Sequence, residues 1–203
     1  MTSGGTVKAA TAKAIRSVVV FALVVTSASL ATSSARAYEF IGCKYAGLGN
    51  NLKWENQTTR YAYSNPAQHA MSAWNSSSSQ FNFAEVTSGA NLRLTDGNFG
   101  NISVWGILRD SSGVDPGPAD NPKCSSGRWA EANSAWLNRY HLDGQPGWVK
   151  KSVYVHEVGH AIGLAHEDDL SCVIMRTYVD NFVFDCLLDS PTQDDINGAN
   201  ALY

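Results

Sequence analysis

The chain has 203 residues, 44% of them hydrophobic and 16% charged, with 18 acidic against 15 basic side chains and a formal net charge of −3 at pH 7. Because binding to a nucleic-acid backbone relies on clustered lysines and arginines, this acidic balance argues against nucleic acid as a partner. Beyond residue 37 no hydrophobic run is long enough to cross a bilayer, which argues against a membrane-spanning segment there.

Residues 1–37 are predicted to be a secretory signal peptide. Basic residues precede an uncharged, mostly apolar run over 17–31, and Ala35-Arg36-Ala37 has the small residues of a cleavage site. The alternative is an uncleaved membrane anchor, but this run is short against the roughly 20 apolar residues that a span needs. We therefore expect a protein that is secreted to the extracellular space and is free of the membrane after cleavage.

Residues 38–203 are expected to form one domain. The predicted signal peptide contains four of the 15 basic residues and none of the 18 acidic ones, so the remainder has 11 basic and 18 acidic side chains and a net charge of −7. Its length is typical of a single domain with a real hydrophobic core. No internal repeat appears in it, and we expect a monomer.

Five strands are predicted in the first part of this domain, and alternating polar and apolar residues indicate two of them, Phe81–Val86 and Ala90–Thr95. A helix is predicted after the first strand, because Asn65 is a suitable N-cap, Pro66 suits the first helical position and the serines at 76–79 would end it. The stretch 110–126, rich in Gly, Pro, Ser and Asp, is predicted to be a long loop. The order of strand, helix, strand and strand indicates a mixed sheet. The predicted strands are Leu52–Trp54, Phe81–Val86, Ala90–Thr95, Ile102–Leu108 and Arg128–Asn138.

A metal-binding pattern follows in the segment HEVGHAIGLAH, which begins at His156. On a helix, His156 and His160 lie on one face with Cβ atoms about 5–6 Å apart. Both imidazoles can then reach one zinc ion at about 2.0–2.1 Å. Gly163 can take a positive φ and turn the chain back, so that His166 becomes the third ligand. The alternative, a helix with ordinary core histidines, does not explain these fixed spacings. His69 and His141 lack such a context and are interpreted as surface residues.

Three protein ligands plus a water form a catalytic zinc site, whereas a structural site is normally closed by four. Zinc lowers the pKa of its bound water to about 7 and polarises a carbonyl group. Glu157 would take the proton of this water and pass it to the leaving amine, as general base and then general acid. The predicted reaction is hydrolysis of a peptide bond. Two alternatives remain: a secreted binding module that zinc only stabilises, and a zinc hydrolase acting on a non-peptide amide.

The histidine motif, followed by Met175, resembles the metzincin metalloproteases. In that family a methionine turn forms a hydrophobic base under the metal without binding it, and Met175 is expected in this role. The segment Thr192–Gly198 is similar to the end of the matrixin (matrix metalloproteinase) catalytic domain. The resemblance implies an α+β fold, with a mixed, mainly parallel twisted sheet, two long helices and a short C-terminal helix. It also implies an endopeptidase whose protein or peptide substrate binds along an edge strand, here Ile102–Leu108.

Several matrixin features are missing from the sequence. Cys43 lacks the flanking residues of the pro-segment cysteine, so latency by that switch is not expected. The usual second, structural zinc has no histidine and aspartate set in residues 96–145, so we expect one zinc ion. The proline two places after the turn methionine is Thr177 here. Acidic loops at 110–120 and 168–189 could hold calcium or be simply solvated.

Four cysteines in an exported chain indicate two disulfides. Of the three pairings, we favour Cys172 with Cys186, because this bond would close a loop beneath the metal site and stabilise the fold by about 3 kcal/mol in the chain-entropy model. Cys43 with Cys124 follows by elimination. Zinc ligation by the cysteines is disfavoured, since no C-x-x-C spacing exists.

Two predictions concern the end of the chain. Ser190 precedes Pro191, with Gln193 as the third helical residue, which predicts a capped helix running to Tyr203. Before it lies an apolar group that either lines a hydrophobic subsite or packs in the core. This group consists of Tyr178, Phe182, Val183 and Phe184.

Overall fold

The structure is a computed structural model that describes Met1 and residues 38–46, 51–110 and 123–203. Contacts divide the chain into residues 1–34 and residues 35–203, and the account below concerns the second unit. The predicted signal peptide and most of the predicted loop at 110–126 lie outside the described residues, so both stay predictions. Among the described residues, none of the helices has the length and apolarity needed to cross a membrane.

Seven strands are present in the described part of the chain. Five of them form one sheet in the order β2-β1-β3-β7-β4, in which β4 is antiparallel to β7 and all other pairs are parallel. Strand β4 is therefore an edge of the sheet. The two remaining strands form a small separate hairpin. The strands are β1 (Asn51–Asn56), β2 (Asn82–Glu85), β3 (Leu92–Gly97), β4 (Gly106–Asp110), β5 (Cys124–Ser125), β6 (Arg128–Trp129) and β7 (Asn133–Asn138).

Two long helices pack against each other and against the sheet. The indole N–H of Trp74 donates to the carbonyl of Val155 at 3.1 Å and joins them. The Tyr154 hydroxyl donates to the carbonyl of Thr95 at 2.7 Å and joins the second long helix to β3. The helices are α1 (Tyr61–Ser76), α2 (Arg139–Leu142), α3 (Gly147–Ile162) and α4 (Gln193–Leu202), with a π-helical segment at Asp180–Asp185. The predicted α+β class with a mixed, mainly parallel sheet is confirmed.

Helix α1 begins at Tyr61, so the predicted start at Pro66 is wrong. Pro66 lies inside the helix, in its second turn. The added turn is held by tertiary contacts: the Tyr63 hydroxyl donates to Asp143 at 2.9 Å, and Arg60 pairs with the same carboxylate at 2.7 Å. Local capping rules contain no information about these contacts, which join residues far apart in the sequence.

The predicted last strand is also too long. Only Asn133–Asn138 belongs to the main sheet, whereas Arg128 and Trp129 form β6 of the hairpin. The indole N–H of Trp129 donates to Ala161 at the end of α3, at 2.8 Å, which holds the hairpin against the zinc-motif helix. Residues 139–142 form the short helix α2, because the Asn138 side chain accepts a hydrogen bond from Tyr140 and starts it.

The closing helix is present, but its predicted cap is wrong. Helix α4 starts at Gln193, and Thr192 precedes it instead of Ser190. Asp195 serves as the capping acid, since its carboxylate accepts the Thr192 N–H at 2.7 Å and hydroxyl at 2.6 Å. The two predicted disulfides, Cys43–Cys124 and Cys172–Cys186, are both formed.

Candidate metal centre

Three histidines meet at the end of α3. His156 and His160 lie on one face of the helix, and the turn at Gly163, with φ of 110°, returns the chain so that His166 faces them. One nitrogen of each ring lies within 4.8 Å of the others, and the Nε2 atoms of His160 and His166 are 3.2 Å apart. Tetrahedral ligands at about 2.0–2.1 Å from zinc are about 3.3 Å apart. The three rings could therefore hold one such ion.

Two backbone carbonyls orient the rings on α3. His156 Nδ1 donates to Ile174 at 2.7 Å, and His160 Nδ1 donates to Leu164 at 2.8 Å. An imidazole that donates through Nδ1 has its free lone pair on Nε2, which is the atom available to a metal. The positions of Ile174 and Leu164 thus fix the side of each ring that faces the centre.

The three rings are held in the neutral form that metals bind. Burial, followed by the neighbouring His160, holds the pKa of His156 well below its usual range. Burial, with the nearby His166, lowers the pKa of His160 to about 4. Burial also lowers the pKa of His166. Neutral imidazoles give the site three nitrogen donors and no charge of their own, which suits zinc.

The turn after α3 is fixed by the start of the described domain. A Cβ at Gly163 would collide with the carbonyl oxygen of Cys43, so only glycine fits there, quite apart from its positive φ. The Ile41 N–H donates to Gly163 at 2.9 Å, and the Ala165 N–H donates to Glu39 at 2.9 Å. Residues 38–46 therefore position the turn that carries the third histidine.

Glu157 faces the same cleft from the adjacent position of α3. Glu157 is only 4% exposed, and within the described part of the chain its Oε2 atom has no hydrogen-bond partner. Burial raises the pKa of its carboxyl to about 8. A Cβ at Gly106 of β4 would lie 2.5 Å from the Oε1 atom, so this glycine lets the edge strand approach the carboxylate. A buried, unpaired carboxylate oxygen fits a bound molecule that donates a hydrogen bond.

Met175 lies under the histidine helix. It is 2% exposed, and a Cβ at Gly159 would collide with its sulfur, so the methionine packs between the turns that carry His156 and His160. Asp195 accepts the N–H groups of Ile174 and Met175 at 3.1 and 3.3 Å. The sequence reasoning missed Gly159, although a glycine in mid-helix costs about 1 kcal/mol and is a signal of close packing.

The cleft in front of the histidines has a volume of about 370 Å³. One wall is formed by residues 103–107, the last two of which begin β4. The other wall is formed by α3 and by residues of the segment 177–182. The apolar group predicted as subsite or core divides between the two: Tyr178 and Phe182 line the cleft, whereas Val183 is fully buried. Phe184 is 41% exposed outside the lining.

The remaining two histidines lie elsewhere. His69 Nε2 is 2.8 Å from the carbonyl of Asp189, and the His141 ring stacks on Trp105 with centroids 5.4 Å apart. Neither belongs to a metal-binding group in the described residues. His141 is half-buried and stacked, so it is less exposed than the surface residue that the sequence predicts.

The family model of the matrixins matches residues 49–203. This chain belongs to the matrixin family. Matrixins are zinc-dependent metalloendopeptidases that act on protein substrates. The predicted resemblance is confirmed, and the three imidazole donors of this matrixin fit the ion that its family uses.

Among curated relatives, the interstitial collagenases of Sus scrofa and Equus caballus are each 26% identical to this matrixin. The matches extend over 173 and 174 residues, which is 75% of this chain and 33% of each collagenase. The chain thus spans about a third of the length of these relatives. Matrix metalloproteinase-27 of Homo sapiens is 34% identical over 70 residues, 31% of this chain and 13% of that protein.

Among solved structures, the chain is similar to myroilysin with a TM-score of 0.37 and 18% sequence identity. That alignment covers 61% of this chain and 52% of the other chain.

Proposed function

We propose that residues 38–203 are a secreted zinc-dependent metalloendopeptidase with one catalytic zinc ion. The observation that carries this proposal is the meeting of three neutral imidazoles and one buried carboxylate, Glu157, at a single cleft. His156, His160 and His166 would hold the ion. When bound, zinc supplies a Lewis acid that polarises the scissile carbonyl and acidifies a water molecule.

Glu157 moves the proton. As general base its carboxylate accepts a proton from the attacking water, whose oxygen forms the new bond to the carbonyl carbon. As general acid it then gives that proton to the departing nitrogen, so that one water and one peptide bond yield a carboxylic acid and an amine. Burial raises the pKa of Glu157 to about 8, which favours the protonated form that returns the proton to the departing nitrogen.

Strand β4 offers a binding edge for the substrate. Among the described residues β4 pairs with β7 on one side only, so the other edge of Gly106–Leu108 offers backbone donors and acceptors for an extended peptide. This edge borders the histidines, because Gly106 and Ile107 line the cleft. The predicted edge Ile102–Leu108 overlaps β4, and a substrate added there as a strand would pass Glu157.

Both disulfides support secretion, since such bonds persist in oxidising compartments. We keep the predicted removal of residues 1–37, the monomeric state and the absence of membrane contact as parts of this proposal. Calcium stays unassigned: in the described residues the three histidines form the one group with metal-binding geometry.

The alternative is a binding module in which zinc only stabilises the fold. It is disfavoured by Glu157, because a structural metal needs no unpaired carboxylate beside it and burying one costs free energy. Mature protein should be incubated with a diverse peptide library, with chelator, without chelator, and after zinc is added back. We expect internal cleavage that chelator stops and zinc restores. A folded, zinc-loaded protein that cleaves no peptide or protein would contradict the proposal.

A further inference from the structure

The side chain of Asn138 lies at the end of β7 and is fully buried. A carboxamide can donate two hydrogen bonds and accept two, and here all four are formed. Nδ2 donates to the carbonyls of Gly100 and Val104 at 3.2 and 3.0 Å. Oδ1 accepts the backbone N–H groups of Phe99 and Tyr140 at 3.0 and 3.1 Å. One amide therefore fastens the segment before β4 to the start of α2.

Two neighbouring contacts hold the same segment. The backbone N–H of Asn138 donates to the carbonyl of Trp105 at 2.8 Å. His141 Nε2 donates to the carbonyl of Ile102 at 2.5 Å, and its ring stacks on Trp105 with centroids 5.4 Å apart and an interplanar angle of 4°. Residues at 138–141 thus bind the carbonyls at 100, 102, 104 and 105.

The segment 99–105 forms part of the cleft. Ser103, Val104 and Trp105 line it, and the chain then continues into Gly106 at the start of β4. These seven residues belong to no helix or strand, so their backbone groups need partners from elsewhere. The contacts from residues 138–141 therefore determine where this wall of the cleft lies.

We propose that Asn138 and His141 are positioning residues of the peptidase, which hold the segment 99–105 where it meets the substrate. The inference rests on the proposed function. The described lining of the cleft contains neither side chain, whereas the histidine ligands and Glu157 lie on α3 and on the turn after it. Loosening the wall should therefore weaken substrate binding and spare the metal centre. A residue with a purely structural role would lower stability without changing KM.

The test is Asn138→Ala, assayed by steady-state kinetics on a peptide chosen from the library by cleavage or by binding. Because a small displacement far from the reacting atoms can cost up to about 100-fold, kcat/KM should fall by about 10- to 100-fold. A rise in KM should account for most of this fall, since the lost contacts concern binding. Zinc affinity should equal that of wild type.

The matched control is Asn133→Ala, at the other end of β7. Asn133 is 1% exposed, and its amide donates to the Tyr45 hydroxyl at 3.3 Å, away from the residues that line the cleft. This substitution also removes a buried amide from the same strand. Stability should therefore fall, whereas KM should stay at the wild-type value.

A second variant decides if Asn138→Ala fails to fold. His141→Ala removes a half-buried side chain and should raise KM by a smaller factor. Hydrogen exchange of residues 99–105, followed by mass spectrometry, reports the wall directly and needs no activity. Exchange should be faster in both variants, and Asn133→Ala should leave it unchanged.

The inference and the proposed function can fail separately. In the Glu157→Gln background, calorimetry measures binding of the same peptide without cleavage, and adding Asn138→Ala should weaken it. An unchanged KM in folded, zinc-loaded variants, or an equal rise in Asn133→Ala, overturns the inference. A wild type that cleaves nothing, but binds the peptide more tightly than Asn138→Ala does, overturns the peptidase proposal alone. A wild type that neither binds nor cleaves any peptide overturns both.

Discussion

The carboxylate of Asp195 accepts the backbone N–H of Met175 at 3.3 Å. The same carboxylate caps α4 through Thr192 and accepts the N–H of Ile174, whose carbonyl orients His156. One buried acid therefore connects the closing helix, the methionine under the metal centre and the first histidine.

Asp195→Ala should destabilise the fold by about 2–4 kcal/mol, because it leaves buried backbone donors without an acceptor. The free energy of unfolding in urea measures this loss. Asp194→Asn, one residue earlier and only half-buried, should change stability far less. Equal effects of the two substitutions would contradict the bridging role of Asp195.

Glu157→Gln should lower kcat/KM by about 100-fold or more, since an amide cannot accept and return the proton and general acid–base groups contribute about 10²–10⁴-fold. Zinc content and melting temperature should stay at the wild-type level, because the ligand set is intact. The matched control is Glu85→Gln, an exposed acid on β2. A Glu157→Gln variant that retains nearly full proteolysis would disprove the assigned role.

Gly159→Ala should destabilise the protein although alanine normally favours a helix by about 1 kcal/mol. The added Cβ collides with the Met175 sulfur, so either the methionine or the helix must shift. The free energy of unfolding, measured with a chemical denaturant, and the zinc affinity should both fall. Met175→Ala in the same chain should partly restore them, and the double-mutant cycle measures this coupling. Gly144→Ala, where a Cβ meets nothing within 4 Å, is the control.

His166→Ala should weaken zinc binding and abolish cleavage. The zinc-dependent rise in melting temperature should shrink in proportion to the lost affinity, because a ligand that binds only the folded state stabilises it by mass action. His69→Ala, which removes a histidine away from the centre, should leave zinc affinity unchanged. Titration of metal-free protein followed by thermal melts gives both quantities.

Replacing Cys172 and Cys186 together by serine should lower the free energy of unfolding by about 3 kcal/mol in the chain-entropy model. The bond also holds the segment whose Phe182 stacks on His156, so zinc affinity should fall as well. Guanidinium unfolding and zinc titration measure the two effects. Unchanged zinc affinity would mean that the packing of Phe182 on His156 does not depend on the disulfide.

The limits of prediction are visible in particular residues. Local capping rules favour a start of α1 at Pro66, whereas the hydrogen bond from Tyr63 to Asp143 extends the helix to Tyr61. In α1 a contact with a distant segment outweighs a local preference of about 1 kcal/mol. In α4 the predicted cap at Ser190 competes with a second local cap, the Thr192–Asp195 capping box, whose carboxylate also accepts the N–H groups of Ile174 and Met175.

The metal-binding pattern can be predicted from the sequence alone, because the spacing of His156 and His160 on a helix and the glycine turn before His166 depend only on local backbone geometry. The sequence also favours the cysteine pairing that forms, and its family resemblance implies the class of fold. The surroundings of these residues become visible in the folded domain, where Gly106 lies against Glu157, Phe182 stacks on His156 and Asp195 binds the backbone of Met175. The physical reason is that such contacts join side chains far apart in the chain, and close packing of the whole domain selects them.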